Sequence, residues 1–297
     1  MIRFLRFWLR AIRIYAFSTS FTAVAFGGLY ARWCGEPFSW LRFAVATLAG
    51  MFLHAAANLW NDYFDYTNGV DREAGKCGSA MIFSGELTPR RIFRAACLCA
   101  ALAAAGGFWL AWATRGWHII LLGAAGLVGA AGYCAGPRSP KHLALGEVWV
   151  FLMMGLGMPL GGWMAQTGTF SAPPLLAALP IALFTALLLY NNNLRDIADD
   201  RAAGIRTLPM ILGRAAHPAA LAAFAAVFAL AAALVTLDRL PKLSLLAFLA
   251  IPPALPWLSA IFRRSVAHRE ELLLARLHLL FGLLLLASLL LPGNFAL

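Results

Sequence analysis

Long apolar runs separated by short polar connections organise this chain. Runs long enough to cross a bilayer occupy residues 14–31, 43–60, 92–113, 117–135, 148–165, 175–191, 216–237, 243–262 and 272–291. Each supplies the roughly 17–25 residues that an α-helix needs to span a hydrocarbon core about 30 Å thick. The pattern predicts an all-α integral membrane protein with nine transmembrane helices in one domain over residues 1–297. Residues 1–13 carry Arg3, Arg6, Arg10 and Arg13 at helical spacing, with Phe4, Leu5, Phe7, Trp8 and Leu9 between them. That alternation predicts an amphipathic helix lying on a membrane surface. A secretory leader also begins basic, but the following apolar run is long and has no clear cleavage site, so a retained first span is expected. Pro252, Pro253 and Pro256 predict a distorted eighth span.

Two apolar runs end in polarity. The second closes with Asn58, Asn61, Asp62, Asp65 and Asp71, the sixth with Asn192, Asn193, Arg195, Asp196, Asp199 and Asp200. On a helix, His54, Asn58 and Asp62 stand one turn apart and Asp65 extends their stripe. Asn192, Asp196 and Asp200 form a matching stripe if the sixth helix continues. Gly69 is expected to end the second helix and let Asp71 return from the loop. A charge at the centre of a membrane helix costs about 2.5–3.5 kcal/mol, so clustered carboxylates at a helix end call for water, a metal or a cationic partner. Six of the seven aspartates lie in these two stretches.

Composition and charge then fix class and orientation. With 62% hydrophobic residues, 12% charged residues and a mean hydropathy of +0.75, the chain is too apolar for a soluble domain of its length. Its net charge of +11 would suggest nucleic acid in a soluble protein, but here its distribution decides. Across nine spans, nineteen Lys and Arg fall on the side of residue 1 and five on the other. The asymmetry predicts a cytoplasmic N-terminus and places both acidic stretches on the cytoplasmic face; some of the excess charge also suits anionic lipid or an anionic substrate. The five cysteines (Cys34, Cys77, Cys97, Cys99, Cys134) are scattered without a C-x-x-C, which reads as membrane packing with neither disulfide framework nor metal site.

The chemistry suited to two facing acidic clusters is magnesium and phosphate. Mg²⁺ is usually held by one or two carboxylates and completes its octahedron with water and substrate phosphate oxygens. Asp62 and Asp65 opposite Asp196, Asp199 and Asp200 suit ions that bridge a diphosphate. Cations nearby in sequence (Arg72, Lys76, Arg138, Lys141, Arg195, Arg206) would balance its remaining charge. A diphosphate so neutralised leaves readily, and an allylic carbon left behind is a delocalised cation that an apolar bundle would shield from water. Calcium and zinc fit less well, since there is no EF-hand loop and no His or Cys cluster. The asparagines also suit hydrogen bonding between helices, and His54 reads as a hydrogen-bonded core residue.

These residues resemble the UbiA superfamily of intramembrane aromatic prenyltransferases. Asn61-Asp62-x-x-Asp65-x-x-x-Gly69-x-Asp71 is similar to the first motif of its 1,4-dihydroxy-2-naphthoate branch. Asn192-Asn193-x-Arg195-Asp196-Ile197-x-x-Asp200-x-x-x-Gly204-x-Arg206-Thr207-Leu208 is similar to the second, and Tyr133, Gly136-Pro137 and Leu145-Gly146-Glu147 match a third patch. The resemblance implies a nine-helix bundle and a Mg²⁺-dependent transfer of a polyprenyl group from its diphosphate to an aromatic acid. With dihydroxynaphthoate as acceptor, CO₂ is lost and demethylmenaquinone forms, on the cytoplasmic face of a cell membrane. It further implies catalytic and metal-binding roles for Asp62, Asp65, Asp196 and Asp200, with Asp199 among the ligands. Substrate contacts are implied from Asn58, Asn61, Asp71, Lys76, Tyr133, Arg138, Lys141, Glu147, Asn192, Asn193, Arg195 and Arg206. Departures from the family pattern at Ile205, Lys141-His142 and Arg13-Ile14 bear on the acceptor, which leaves hydroxybenzoate, homogentisate or haem as alternatives. A transporter of anionic solute with divalent cations is a further alternative of another class; such sites favour the bilayer midplane.

Overall fold

The computed structural model of the chain describes residues 2–69, 81–82, 84–136 and 138–291, with side chains from residue 7 onward. Asp71, Lys76 and Cys77 therefore lie outside the described residues. Within them the fold is all-helical: α1 (Ile2–Ala11), α2 (Phe17–Trp33), α3 (Trp40–Thr67), α4 (Pro89–Thr114), α5 (His118–Gly132), α6 (Gly146–Val150) and α7 (Met158–Thr167) are followed by α8 (Pro173–Ala177), α9 (Leu179–Arg195), α10 (Ile197–Ala202), α11 (Leu208–Leu212), α12 (Ala216–Thr236), α13 (Leu255–Phe262) and α14 (His268–Leu290). All nine apolar stretches are helical. Among the described residues, seven helical segments are long and apolar enough to cross a membrane. The other two stretches hold α5, which is apolar but only 15 residues long, and α9, whose 17 residues end in polarity.

Several predicted features have clear local causes. Gly69 adopts φ +69° directly after α3, the left-handed conformation that glycine supplies at a helix end. Thr88 caps α4, accepting from the amide of Arg91, with Pro89 pre-set for the first turn. The eighth stretch winds as 3-10 turns over Lys242–Ala250 and Pro252–Ala254 before α13, the distortion expected where prolines remove amide donors. One departure was not predicted. Between α6 and α7, Phe151–Gly157 winds as a π-helix, a form enriched at functional sites.

The core is formed by α2, α7, α9, α12 and α14, with Phe26, Phe184, Trp257 and Phe281 fully enclosed. α2 and α7 meet backbone to backbone. A Cβ on Gly27 would lie 1.8 Å from the carbonyl oxygen of Pro159, and one on Gly162 would lie 2.1 Å from that of Val24. Neither neighbour is a side chain that can turn away, so Gly27→Ala forces the helices apart and should cost at least about 1–3 kcal/mol. The expected result is a lowered unfolding temperature in detergent; an unchanged one would mean that the crossing yields freely. A second cluster fastens α1. Phe7, Trp8, Ala11 and Ile12 pack with Leu59, Trp60 and Tyr63 of α3 and with Ile92 and Ala96 of α4.

Candidate active site

One end of the bundle gathers the polar residues. The link between α5 and α6 docks on the segment after α10: the amide of Ala144 donates to the carbonyl of Arg206 at 2.9 Å, and the amide of Arg206 to that of His142 at 3.3 Å. This clasp brings Lys141 to the end of α3, where its Nζ lies 2.6 Å from both carboxylate oxygens of Asp65 and 3.2 Å from Oδ1 of Asn61. Asn61 in turn donates to Asp65 Oδ2 at 2.9 Å. Asp62, one turn away and buried, is paired with the guanidinium of Arg13.

The second motif does not continue as one straight helix. α9 ends at Arg195 and α10 begins at Ile197, with Asp196 at the seam (φ −94°, ψ 12°). The physical reason is visible in the side chains. Arg195 donates through Nε and Nη2 to both oxygens of Asp196, at 2.6 and 2.5 Å, whereas adjacent residues on a regular helix do not face each other. The same guanidinium reaches Glu271 on α14. Glu271 also contacts His268 at 2.6 Å and accepts a long contact, 3.5 Å, from the Tyr15 hydroxyl. Arg195 thus ties both halves of the second motif to α14 and to the start of α2.

Both motifs open onto one cavity of about 830 Å³. Its polar end is lined by Asn58, Asn61, Asp65, Tyr133, Lys141, Glu147, Asn192, Asn193, Arg195, Asp196, Asp199 and Asp200. Its apolar end runs along Leu53, Ala57, Gly126, Gly129, Val150, Met153, Met154, Met158 and Leu188, so the π-turn forms part of the wall. Asp62 lies beneath Arg13, outside the lining. Arg138 and Arg206 have exposed side chains and do not line the cavity; Arg206 contributes its backbone. Asn58 donates to the carbonyl of Ile12 at 2.9 Å, holding the chain between α1 and α2. His54 meets Ser20 at 3.1 Å and stacks on Phe17, as a core histidine would.

Electrostatics distinguishes the acids. Burial opposes the charge on Arg13, but Asp62, Tyr15 and Asp65 together outweigh it and hold the guanidinium protonated. Asp65 and Asp196 each have a cation in contact. Asp200 differs: burial, and then the neighbouring Asp196, push its carboxyl up to about 7. Its Oδ2 and the Oδ1 of Asn192 are buried without a hydrogen-bond partner. These two orphaned oxygens, from residues two helical turns apart with Asp196 midway between them, are donors of the kind that a hard cation takes. Among the described residues no three His, Cys, Asp or Glu side chains converge tightly enough to hold a metal by themselves.

Sequence reading missed Glu271, Tyr15 and His268 and put Arg13 on the membrane surface. Glu271 leaves a usable trace in the sequence, an acid in the first turn of an apolar span. Arg13 adopts φ 56°, ψ 56°, a turn between α1 and α2 that helical spacing does not reveal.

Known proteins resemble this chain in sequence and in fold. The family profile described as the UbiA prenyltransferase family matches residues 20–291. UbiA prenyltransferase domain-containing protein 1 of Mus musculus is 34% identical over 213 residues, 68% of this chain. The protein of the same name from Danio rerio is 31% identical over 210 residues, also 68% of the chain. In both cases the match spans only 60% of the relative's own length. Two solved structures share the fold. A UbiA homologue from Aeropyrum pernix K1, solved in the apo form, superposes with a TM-score of 0.72 at 21% identity, covering 94% of this chain and 98% of the other. A UbiA homologue from Archaeoglobus fulgidus bound to GPP and Mg²⁺ gives 0.68 at 17% identity, covering 95% and 99%.

Proposed function

We propose that this chain, which belongs to the UbiA prenyltransferase family, transfers a polyprenyl group from its diphosphate to an aromatic acid, with 1,4-dihydroxy-2-naphthoate as the acceptor. One observation carries the reading. Two acidic motifs from separate helices border a single cavity that is polar at one end and apolar at the other, the shape of a diphosphate with a lipid tail. Asp65, Asn192, Asp196 and Asp200 are the residues that would hold Mg²⁺: the orphaned oxygens of Asn192 and Asp200 support this choice of residues, and the Archaeoglobus fulgidus homologue bound to GPP and Mg²⁺ supports the choice of ion. Bound there, the ion would neutralise the charge that develops on the departing diphosphate. Lys141 and Arg195 balance the remaining charge, with Lys76 and Arg206 as further cations, Asp62 and Asp199 as further metal ligands and Asp71 as a further substrate contact from the motifs. The wall of Met153, Met154 and Met158 excludes water from the allylic centre.

The dihydroxynaphthoate assignment rests on the spacing of Asp62, Asp65 and Asp71 and on the Asn192-Asn193-x-Arg195-Asp196 run. The charge asymmetry supports nine crossings in a cell membrane with the N-terminus and the site on the cytoplasmic side. The test is direct. Membranes holding the protein, supplied with Mg²⁺, a labelled polyprenyl diphosphate and carboxyl-labelled dihydroxynaphthoate, should yield prenylated product and an equal amount of CO₂, and EDTA should abolish both. Prenylation of another phenolic acid with dihydroxynaphthoate inert would move the acceptor. Inertness toward every aromatic acceptor, with folded protein, would sink the prenyltransferase reading.

A further inference from the structure

We propose that Glu147 is the catalytic residue on the acceptor side, where its free carboxylate oxygen takes the hydrogen bond, and then the proton, of the acceptor's ring hydroxyl. This role rests on the prenyltransferase reading and names the group that activates the acceptor.

Glu147 stands in the first turn of α6, is 5% exposed and lines the cavity. Its two oxygens differ. Oε1 accepts from Nδ2 of Asn193 at 2.8 Å; Oε2 is buried without a hydrogen-bond partner. No lysine or arginine pairs with Glu147 among the described residues, whereas Asp62, Asp65, Asp196 and Glu271 each contact one. A buried acid oriented by one amide and otherwise unsatisfied is poised for a donor that arrives with the ligand. Its location fits a ring. Asn193 ties Glu147 to the helix that carries the second motif, close to the diphosphate end. Beside it, Gly146 and Tyr133 also line the cavity, and a Cβ on Gly146 would lie 3.3 Å from the Tyr133 hydroxyl and 3.4 Å from Leu189, so a larger residue would crowd the wall next to Glu147.

The step balances without an outside reagent. The O–H bond of the acceptor breaks toward Glu147 as the neighbouring ring carbon bonds to prenyl C1. The electron pair of the C1–O bond leaves with diphosphate. Where the attacked carbon bears the carboxylate, the ring is then a β-keto acid. Loss of CO₂ returns the C–C electron pair to the ring, the ketone oxygen becomes a phenolate, and Glu147 gives its proton back.

The test compares wild type with Glu147→Gln, which keeps the shape and can still accept from Asn193 but cannot take a proton. Turnover is measured with Mg²⁺, a polyprenyl diphosphate and a series of hydroxyaryl acids of graded phenol acidity; binding is measured with an unreactive prenyl thiodiphosphate. For the least acidic acceptor, turnover should fall at least about 100-fold, the low end of general-base contributions. Binding of the thiodiphosphate should stay within about threefold, and the defect should shrink as acceptors ionise unaided. Turnover within about threefold of wild type on every acceptor would overturn the role. So would a uniform loss accompanied by lost thiodiphosphate binding, which marks a structural glutamate. Wild-type protein that prenylates none of the series overturns the prenyltransferase reading and this role with it; an active wild type with an unaffected variant overturns only the role of Glu147.

Discussion

Asp200→Asn is expected to abolish turnover while leaving the ligand-free protein as stable as the wild type or more so. The two effects have one cause. Asp200 is half-buried beside Asp196 and Asp199, its carboxyl is pushed up to about 7 chiefly by burial, and its Oδ2 has no hydrogen-bond partner. An amide there removes repulsion without orphaning a cation, because among the described residues Asp200 contacts no lysine or arginine in the way that Asp65 and Asp196 do. The same amide is a much poorer ligand for Mg²⁺. Loss of a residue one shell out from a metal costs about 10–100-fold, so loss of a direct ligand should lower turnover by at least about 100-fold. Thermal unfolding in detergent without divalent ions checks the first half. The second half is read as the failure of Mg²⁺ with a prenyl thiodiphosphate to raise the unfolding temperature of the variant. A variant that keeps near-normal turnover would remove Asp200 from the metal site.

Asp62→Asn should behave in the opposite way, losing stability as well as turnover. Asp62 is 4% exposed and paired with Arg13, which keeps only a fifth of its side chain exposed. Removing one partner of a fully buried pair costs roughly 3–5 kcal/mol because the other charge is stranded. With Arg13 partly solvated, about 2–4 kcal/mol is expected on the same grounds. The second substitution Arg13→Gln in the Asp62→Asn background should recover most of that stability and none of the turnover. With Arg13→Gln alone as the fourth protein, the cycle separates the ion pair from the chemistry. If Asp62→Asn unfolds at the wild-type temperature, the pair contributes nothing and Arg13 holds its turn by other means. Two aspartates that read alike in the sequence thus have contrasting energetics, set by whether a cation reaches them.

Much of the architecture was legible from the chain because hydrophobicity acts on whole segments. Nine apolar stretches predict nine helical stretches, and each is helical, since backbone groups in hydrocarbon must satisfy themselves within the segment. The acids were legible for the same reason: polarity at the end of such a helix is costly and therefore conspicuous. Less legible was anything decided by one side chain reaching across the bundle. The seam at Asp196 depends on the grip of Arg195, and the reach of that grip to Glu271 on α14 joins residues 76 positions apart. The π-turn over Phe151–Gly157 leaves no trace in apolar content, since α and π windings of one sequence bury similar groups.

What the sequence determined by itself was the helical membrane class, the two acidic motifs and their spacing, because these follow from local hydrophobicity and residue order. The tertiary structure alone decided which acids are neutralised and which stand open. That division depends on contacts between distant segments: Arg13 to Asp62, Lys141 to Asp65 and Arg195 to Asp196 and Glu271. It leaves Asp200, Asn192 and Glu147 with buried oxygens that no group among the described residues satisfies. An unsatisfied buried oxygen is a property of three-dimensional surroundings, since its cost depends on what fails to come near it.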